Sequence, residues 1–347
     1  MIVDQTTVVL GIESSCDETA AAVVMGGNDV LSSVVATQLD IHARFGGVVP
    51  EIASRAHVEA MTPVIARAID ESGVPIERID AIAATVGPGL IGALLVGVST
   101  AKAMALVLER PFIGVNHLEA HLYAALLDDP LKDPIEQYPM LVLLVSGGNT
   151  LFVEMRGHGD YSIIGQTVDD AAGEAFDKVA RFLGLGYPGG PAIDVEAGNG
   201  SATAIEFPRA MLHDGLDVSF SGLKTAVINH VRRNPSVATA DVAASFQAAC
   251  VEVLVVKARR AAKQIGARTV ALGGGVAANS LLRAEMKSMC ETDRLHLVLP
   301  SMAMCTDNAA MIASAGWYRL RSDGPSALDT GAHPNLKLTG LGDPVHG

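Results

Sequence analysis

Thr7-Val8-Val9-Leu10-Gly11-Ile12 is an apolar run that stops at Glu13-Ser14-Ser15-Cys16-Asp17-Glu18-Thr19 and resumes as Ala20-Ala21-Ala22-Val23-Val24-Met25, closed by Gly26-Gly27-Asn28. Short apolar runs bounded by turn residues read as strands, so the stretch is strand, polar turn, strand. The grammar returns about 130 residues later, where Met140–Val145 enters Ser146-Gly147-Gly148-Asn149-Thr150 and continues as Leu151–Met155. Each stretch is followed by further β and then helical patterns, and the chain reads as two copies of one α/β unit.

Working outward from the first stretch, Val30–Thr37 reads as a third strand. Pro50 opens a helix over Glu51–Ser72, with Ile52, Val58, Met61, Ile65 and Ile69 at helical spacing. Ile79–Val86 and Phe112–Val115 read as strands, and His117–Leu127 as a helix. Residues 87–108 are long enough to span a bilayer, but Pro88, Gly89, Gly92 and Gly97 favour a loop and a buried helix. In the second copy the pattern predicts helices over Asp169–Leu183 and Asp241–Ile265, and a loop over 184–200. It also predicts strands over Arg268–Leu272 and Leu295–Leu299, a helix from Ala278, and a last helix over Asp307–Leu320. The domains expected are 1–130, completed by the helix 307–322; 131–306, with a helical insertion at about 178–245; and an irregular tail 323–347.

The chain has 347 residues, 49% of them apolar and 18% charged, enough for a sizeable core and too apolar for disorder. A net charge of −13 argues against unaided binding of nucleic acid or of anionic membranes. Cys16, Cys250, Cys290 and Cys305 are far apart and form no CxxC, which suits a reducing compartment rather than a disulfide framework. Nothing at the start of the sequence reads as a secretory leader. The expectation is a cytoplasmic protein.

Several residues carry candidate chemistry. The polar turns 13–19 and 146–150 can point backbone N–H groups at a phosphate, or simply close hairpins. Gly273-Gly274-Gly275 presents bare backbone that a ring or sugar can approach, with Asn279 beyond it; a close-packed loop is the alternative. Neither GxGxxG nor GxxxxGK[ST] occurs. His117 and His121 stand four apart on a helix, and with Asp307 they make a set of two imidazoles and one carboxylate, which leaves coordination positions open. A zincin protease needs Glu directly after its first His; here that residue is Leu118, and Glu119 lies about 200° round the helix. Asp169 and Asp170 suit a helix start capped by Thr167, whereas Asp177, further in, can hold ribose hydroxyls. Asp194, in a glycine-rich segment, is a second sugar clamp or a helix N-cap. Lys257, Arg259, Arg260, Lys263 and Arg268 read as a solvated helix face. Arg44, Arg55, His42 and His57 read as a rim around a site.

Taken in order, these motifs resemble those of the tRNA N6-adenosine threonylcarbamoyltransferase family, formerly called O-sialoglycoprotein endopeptidases. The resemblance runs from Gly11–Thr19 to Cys305-Thr306-Asp307-Asn308-Ala309 and includes Phe45–Glu51, Gly87–Leu90, Asn116–His121, Leu144–Gly148, Tyr187–Pro191, Ser219–Thr225 and the triple glycine. One departure is Asn149, where the family commonly has His. The resemblance implies a two-lobed actin/hexokinase/Hsp70-like (duplicated ribonuclease H-like) α/β fold with a nucleotide cleft between lobes. It implies transfer of threonylcarbamoyl from threonylcarbamoyl-AMP to N6 of the adenosine 3′ to the anticodon in tRNAs reading ANN codons. By the same resemblance His117, His121 and Asp307 would hold one divalent metal, iron(II) or zinc. Leu144, Val145, Ser146, Gly147, Gly148, Asp177, Gly190, Asp194 and Asn279 would hold the adenylate, and Asp17 or Glu18 would be the general base. The partners it implies are the tRNA anticodon loop, a paralogous actin-like subunit, for which 51–72 and 92–108 offer a face, and a small ATPase. A small-molecule phosphotransferase and a non-catalytic nucleotide-binding scaffold of the same fold are the other readings.

Overall fold

The computed structural model describes residues 2–127 and 138–338. The chain divides into two compact units, Met1–Lys132 with His158–Asp160 and Thr306–Gly347, and Asp133–Gly157 with Tyr161–Cys305. The boundary expected near residue 130 lies outside the described residues.

The first unit begins with β1 (Val8–Glu13), β2 (Glu18–Met25) and β3 (Asp29–Thr37), then α1 (Leu39–Ala43), α2 (Pro50–Ser72), β4 (Ala81–Gly87), α3 (Ile91–Val107), β5 (Phe112–Asn116) and α4 (His117–Leu127). Its sheet has the order β3-β2-β1-β4-β5. β1 pairs antiparallel with β2 and parallel with β4. Every residue of β1 and β4 is buried, which is why both read as continuous apolar runs rather than alternating ones. α2 starts with Pro50 in its first turn and ends at Gly73, whose φ of 67° suits a residue without Cβ. Residues 87–108 form a loop and then α3.

The second unit holds β6 (Met140–Val145), β7 (Thr150–Gly157), β8 (Asp160–Gln166), α5 (Ala172–Leu183), α6 (Gly189–Ala197), α7 (Ser221–Arg233), α8 (Thr239–Ile265), β9 (Thr269–Gly273), α9 (Ser280–Asp293), β10 (His296–Val298) and α10 (Met302–Cys305). Its sheet order is β10-β9-β6-β7-β8, with β6 antiparallel to β7 and parallel to β9. Read from β8, this is the order of the first sheet, so the repeated grammar reflects a duplicated topology. α8 is long and apolar enough to cross a membrane, yet 61% of its apolar window is packed inside the protein.

Three local expectations are corrected. Half of 184–200 is helical: Pro188 precedes α6 and Pro191 lies in its first turn, where proline costs no hydrogen bond, so its Gly and Pro content hid it. α5 starts at Ala172, because Thr167 does not cap it. The Thr167 hydroxyl donates to the Asp170 carbonyl instead, while Asp169 accepts from Ser219, Ser221 and the Phe220 N–H ahead of α7. α9 starts at Ser280, with the Asn279 side chain accepting from the Leu282 N–H at 3.0 Å. The basic helix face is also only partly solvated. Lys257 is buried and donates to the Asp214 and Gly215 carbonyls, and Arg260 also reaches Gly215.

The last helix, α11 (Ala309–Ser322), is capped by the Asn308 side chain and packs on β1, β2, β4 and α4 of the first unit. It approaches β1 so closely that a Cβ on Gly11 would lie 2.3 Å from the Ala309 carbonyl oxygen. Only glycine fits there.

Candidate metal centre and nucleotide-binding residues

α4 follows β5 without a linker. The Asn116 side chain caps it, accepting from the N–H groups of Leu118 at 2.9 Å and Glu119 at 3.4 Å, and this fixes His117 at the helix start. One turn on, His121 lies on the same face, its ring 4.7 Å from that of His117. Asp307, just ahead of α11, places Oδ1 3.4 Å from His117 Nε2 and 3.2 Å from His121 Nε2. One ligand atom from each of the three residues lies within 4.8 Å of the others. His121 is 1% exposed, and neither ring nitrogen makes a well-aligned hydrogen bond. Two imidazole nitrogens and a carboxylate oxygen around one point are a donor set for a divalent transition metal, so the residues fit the metal expected from the sequence. Glu119 is off this face and pairs with Arg319.

The electrostatics favour positive charge at this point. Burial works against the His117 imidazolium, but Asp307 and Glu13 outweigh it and hold its pKa well above the ordinary value. Burial would likewise raise Asp307, but His117 and His121 hold it far below the usual carboxylate range. A cation would take over the role that protons otherwise play there.

Glu13, fully buried at the end of β1, is the residue that sequence reasoning passed over. Its Oε2 lies 3.0 Å from His117 Nδ1 and accepts from Thr85 Oγ1 at 2.6 Å, while its Oε1 accepts from the Ser15 N–H. A carboxylate there favours the proton on Nδ1, which would leave the Nε2 lone pair for a metal if one is bound. A glutamate closing a buried strand was the available signal. Glu13→Gln is expected to weaken metal binding by roughly 10- to 100-fold, read by competition with a chromogenic chelator. Unchanged affinity would remove Glu13 from the centre.

The turn after β1 carries Asp17 and Glu18. His57 and His42 are not rim residues, as expected from the sequence, but buried braces. His57 spans the turn from α2, with Nδ1 2.7 Å from Thr19 Oγ1 and Nε2 3.1 Å from the Cys16 carbonyl, while His42 Nε2 meets Gln38. Arg44 and Arg55 are exposed. Burial, then the charges of Asp307 and Asp17, push the Glu18 carboxyl up to about 9. The unfolded chain titrates this group near its ordinary 4.5, so between 4.5 and about 9 the unfolded state releases a proton the folded state keeps. Stability therefore falls as pH rises through that window. Glu18→Gln should melt with the metal-free parent at pH 4 and increasingly above it toward pH 9. A pH-independent difference in melting temperature would contradict this environment.

In the second unit, Leu144 and Val145 are buried in β6, so only their backbone can face a ligand, whereas Gly147 and Gly148 are exposed in the turn that follows. The turn is closed by Ser146 N–H to Asn149 O at 2.8 Å. The triple-glycine segment packs against it: a Cβ on Gly274, whose φ is 85°, would lie 2.5 Å from the Val145 carbonyl oxygen. Asp177 on α5 accepts from the Gly189 N–H at 2.7 Å and so sets the start of α6, beside Gly190. Asp194 lies inside α6 and not in a loop or at that helix's own N-cap. It caps α9 instead, accepting from Ser280 N–H at 3.0 Å, Ser280 Oγ at 2.7 Å and Asn279 Nδ2 at 3.3 Å. The structure thus brings Asp194 to Asn279, and the β6–β7 turn to the glycine segment.

The family model for TsaD, tRNA N6-adenosine threonylcarbamoyltransferase, matches residues 29–314. The chain belongs to this family. A tRNA N6-adenosine threonylcarbamoyltransferase of Symbiobacterium thermophilum is 53% identical over 337 residues, covering 96% of this chain and 97% of that protein. One of Clostridium perfringens is 51% identical over 336 residues, covering 95% and 98%. The chain is accordingly a transferase. Among solved structures, HypF of T. kodakarensis superposes with a TM-score of 0.63 at 16% identity, covering 92% of this chain and 48% of that one. Component A of the (R)-2-hydroxyglutaryl-CoA dehydratase of Acidaminococcus fermentans gives 0.53 at 13%, covering 90% and 99%. These likenesses carry the fold alone, the actin/hexokinase/Hsp70-like α/β fold expected from the sequence.

Proposed function

We propose that this transferase moves threonylcarbamoyl from threonylcarbamoyl-AMP to N6 of the adenosine 3′ to the anticodon, in tRNAs reading ANN codons. The observation that supports it most is 53% identity over nearly the whole length to a protein of that name. His117, His121 and Asp307 would hold one divalent metal, iron(II) ahead of zinc. When bound, the metal supplies Lewis acidity toward the carbamoyl oxygen. Glu13 keeps the Nδ1 proton of His117 in place. The mixed anhydride is already activated, so no covalent nucleophile is needed. The exposed Gly147 and Gly148 offer backbone N–H groups to the adenylate phosphate, and Asp194 and Asn279 at the start of α9, with Asp177 and Gly190 at the start of α6, take the nucleoside. N6 must shed a proton as it attacks. Asp17 or Glu18, in the turn after β1, would accept it.

With a net charge of −13, the chain is a weak tRNA binder on its own, and partners bring the anticodon loop to it. Ile91, Leu95, Leu106 and Val107 on α3 and Val58 on α2 are exposed large apolar residues and form the proposed face for a paralogous actin-like subunit; a small ATPase completes the assembly. A cytoplasmic location suits a tRNA substrate and free thiols at Cys16, Cys250, Cys290 and Cys305. No membrane is involved in this reading.

The test incubates the chain and its partner subunits with unmodified tRNA and synthetic threonylcarbamoyl-AMP, then digests the tRNA to nucleosides. N6-threonylcarbamoyladenosine should appear at the adenosine 3′ to the anticodon. Its absence, with phosphate transfer from ATP to a small molecule instead, would favour the phosphotransferase.

A further inference from the structure

Three side chains in the second unit fix one another's orientation. The Leu282 N–H is a donor and cannot be otherwise, so the Asn279 atom that meets it at 3.0 Å is the carbonyl oxygen Oδ1. Asn279 Nδ2 is then a donor, and its partner on α8, 2.9 Å away, must be the acceptor Oε1 of Gln247. That leaves the Gln247 Nε2 group, with two N–H donors, turned away from Asn279. Gln247 is 5% exposed, and Nε2 finds no acceptor among the described residues while keeping access to solvent. The amide is therefore held in one orientation, nearly buried, with its donors open to solvent or to a ligand.

Beside it stands Asp194. Its Oδ1 already accepts from Asn279 and from the Ser280 hydroxyl, and among the described residues its Oδ2 accepts only from the Ser280 N–H, which leaves one acceptor position on Oδ2. An unfilled carboxylate acceptor beside an unfilled amide donor matches a cis-diol, in which one hydroxyl donates and its neighbour accepts. We propose that Gln247 is a substrate-contacting residue, its Nε2 donating to one ribose hydroxyl of the adenylate while Asp194 accepts from the other. The inference rests on the nucleotide reading of this unit and adds a residue to it.

The test is calorimetric, with AMP and 2′,3′-dideoxy-AMP as probes. Gln247→Leu, close to glutamine in volume, should weaken AMP binding roughly three- to tenfold, the worth of one hydrogen bond, and leave dideoxy-AMP binding as in the parent. Gln247→Glu keeps an acceptor for Asn279 while losing the Nε2 donors, and should show the same selective loss. It serves as the second variant if the leucine form does not fold. If both probes weaken equally, Gln247 acts only by bracing Asn279 and the proposal is wrong. Unchanged AMP affinity in the variants is equally fatal to it. If the parent binds neither probe, the nucleotide reading itself fails, and this inference with it.

Discussion

Replacing both His117 and His121 by alanine should empty the metal centre and slow transfer by at least about a hundredfold. A Lewis acid contributes several kcal/mol of transition-state stabilisation, and each 1.4 kcal/mol or so is a factor of ten. In the proposed site the two residues would supply two of the three donors, leaving only Asp307, at 23% side-chain exposure. Metal content by plasma mass spectrometry should fall from about one per chain to near zero while far-UV circular dichroism is retained. Metal content at the parent level in the double variant would show that the triad is not the site.

The second large effect is on stability. Arg319, on α11, donates to Glu119 of α4 at 2.5 Å across 200 residues of sequence, and both side chains are almost fully buried. Arg319→Leu leaves the Glu119 charge buried without its guanidinium, which should cost about 3–5 kcal/mol in urea unfolding. Adding Glu119→Leu should recover most of that loss, because no buried charge is then left behind. The effect should reach the proposed metal site, since α4 carries His117 and His121 and α11 begins just after Asp307. A single-variant cost below about 1 kcal/mol would mean that the pair is solvated.

The duplicated topology was legible because strand–turn–strand grammar depends on local residues, and the buried runs Val8–Glu13 and Met140–Val145 carry it plainly. The spacing of His117 and His121 was legible for the same reason. Contacts distant in sequence were not. Nothing near Glu13 announces Thr85 or His117, and although Asp194 read as a sugar clamp or a helix N-cap, nothing near it announces that the helix start it meets is the one at Ser280. α6 was hidden because its glycines and prolines crowd the first turn, where they do no harm. Lys257 looked solvated by its neighbours' charge, while its partners, the Asp214 and Gly215 carbonyls, lie on another segment.

The most direct measurement is single-turnover transfer from labelled threonylcarbamoyl-AMP to unmodified tRNA, with partner subunits present, by protein stripped of metal and then titrated with iron(II) or zinc. Modified adenosine should be almost absent in the stripped protein. It should rise in proportion to metal bound, saturate near one ion per chain, and fail to rise in the His117→Ala, His121→Ala variant. Full transfer by the stripped protein, or equal recovery in the variant, would contradict a transfer reaction built on His117, His121 and Asp307.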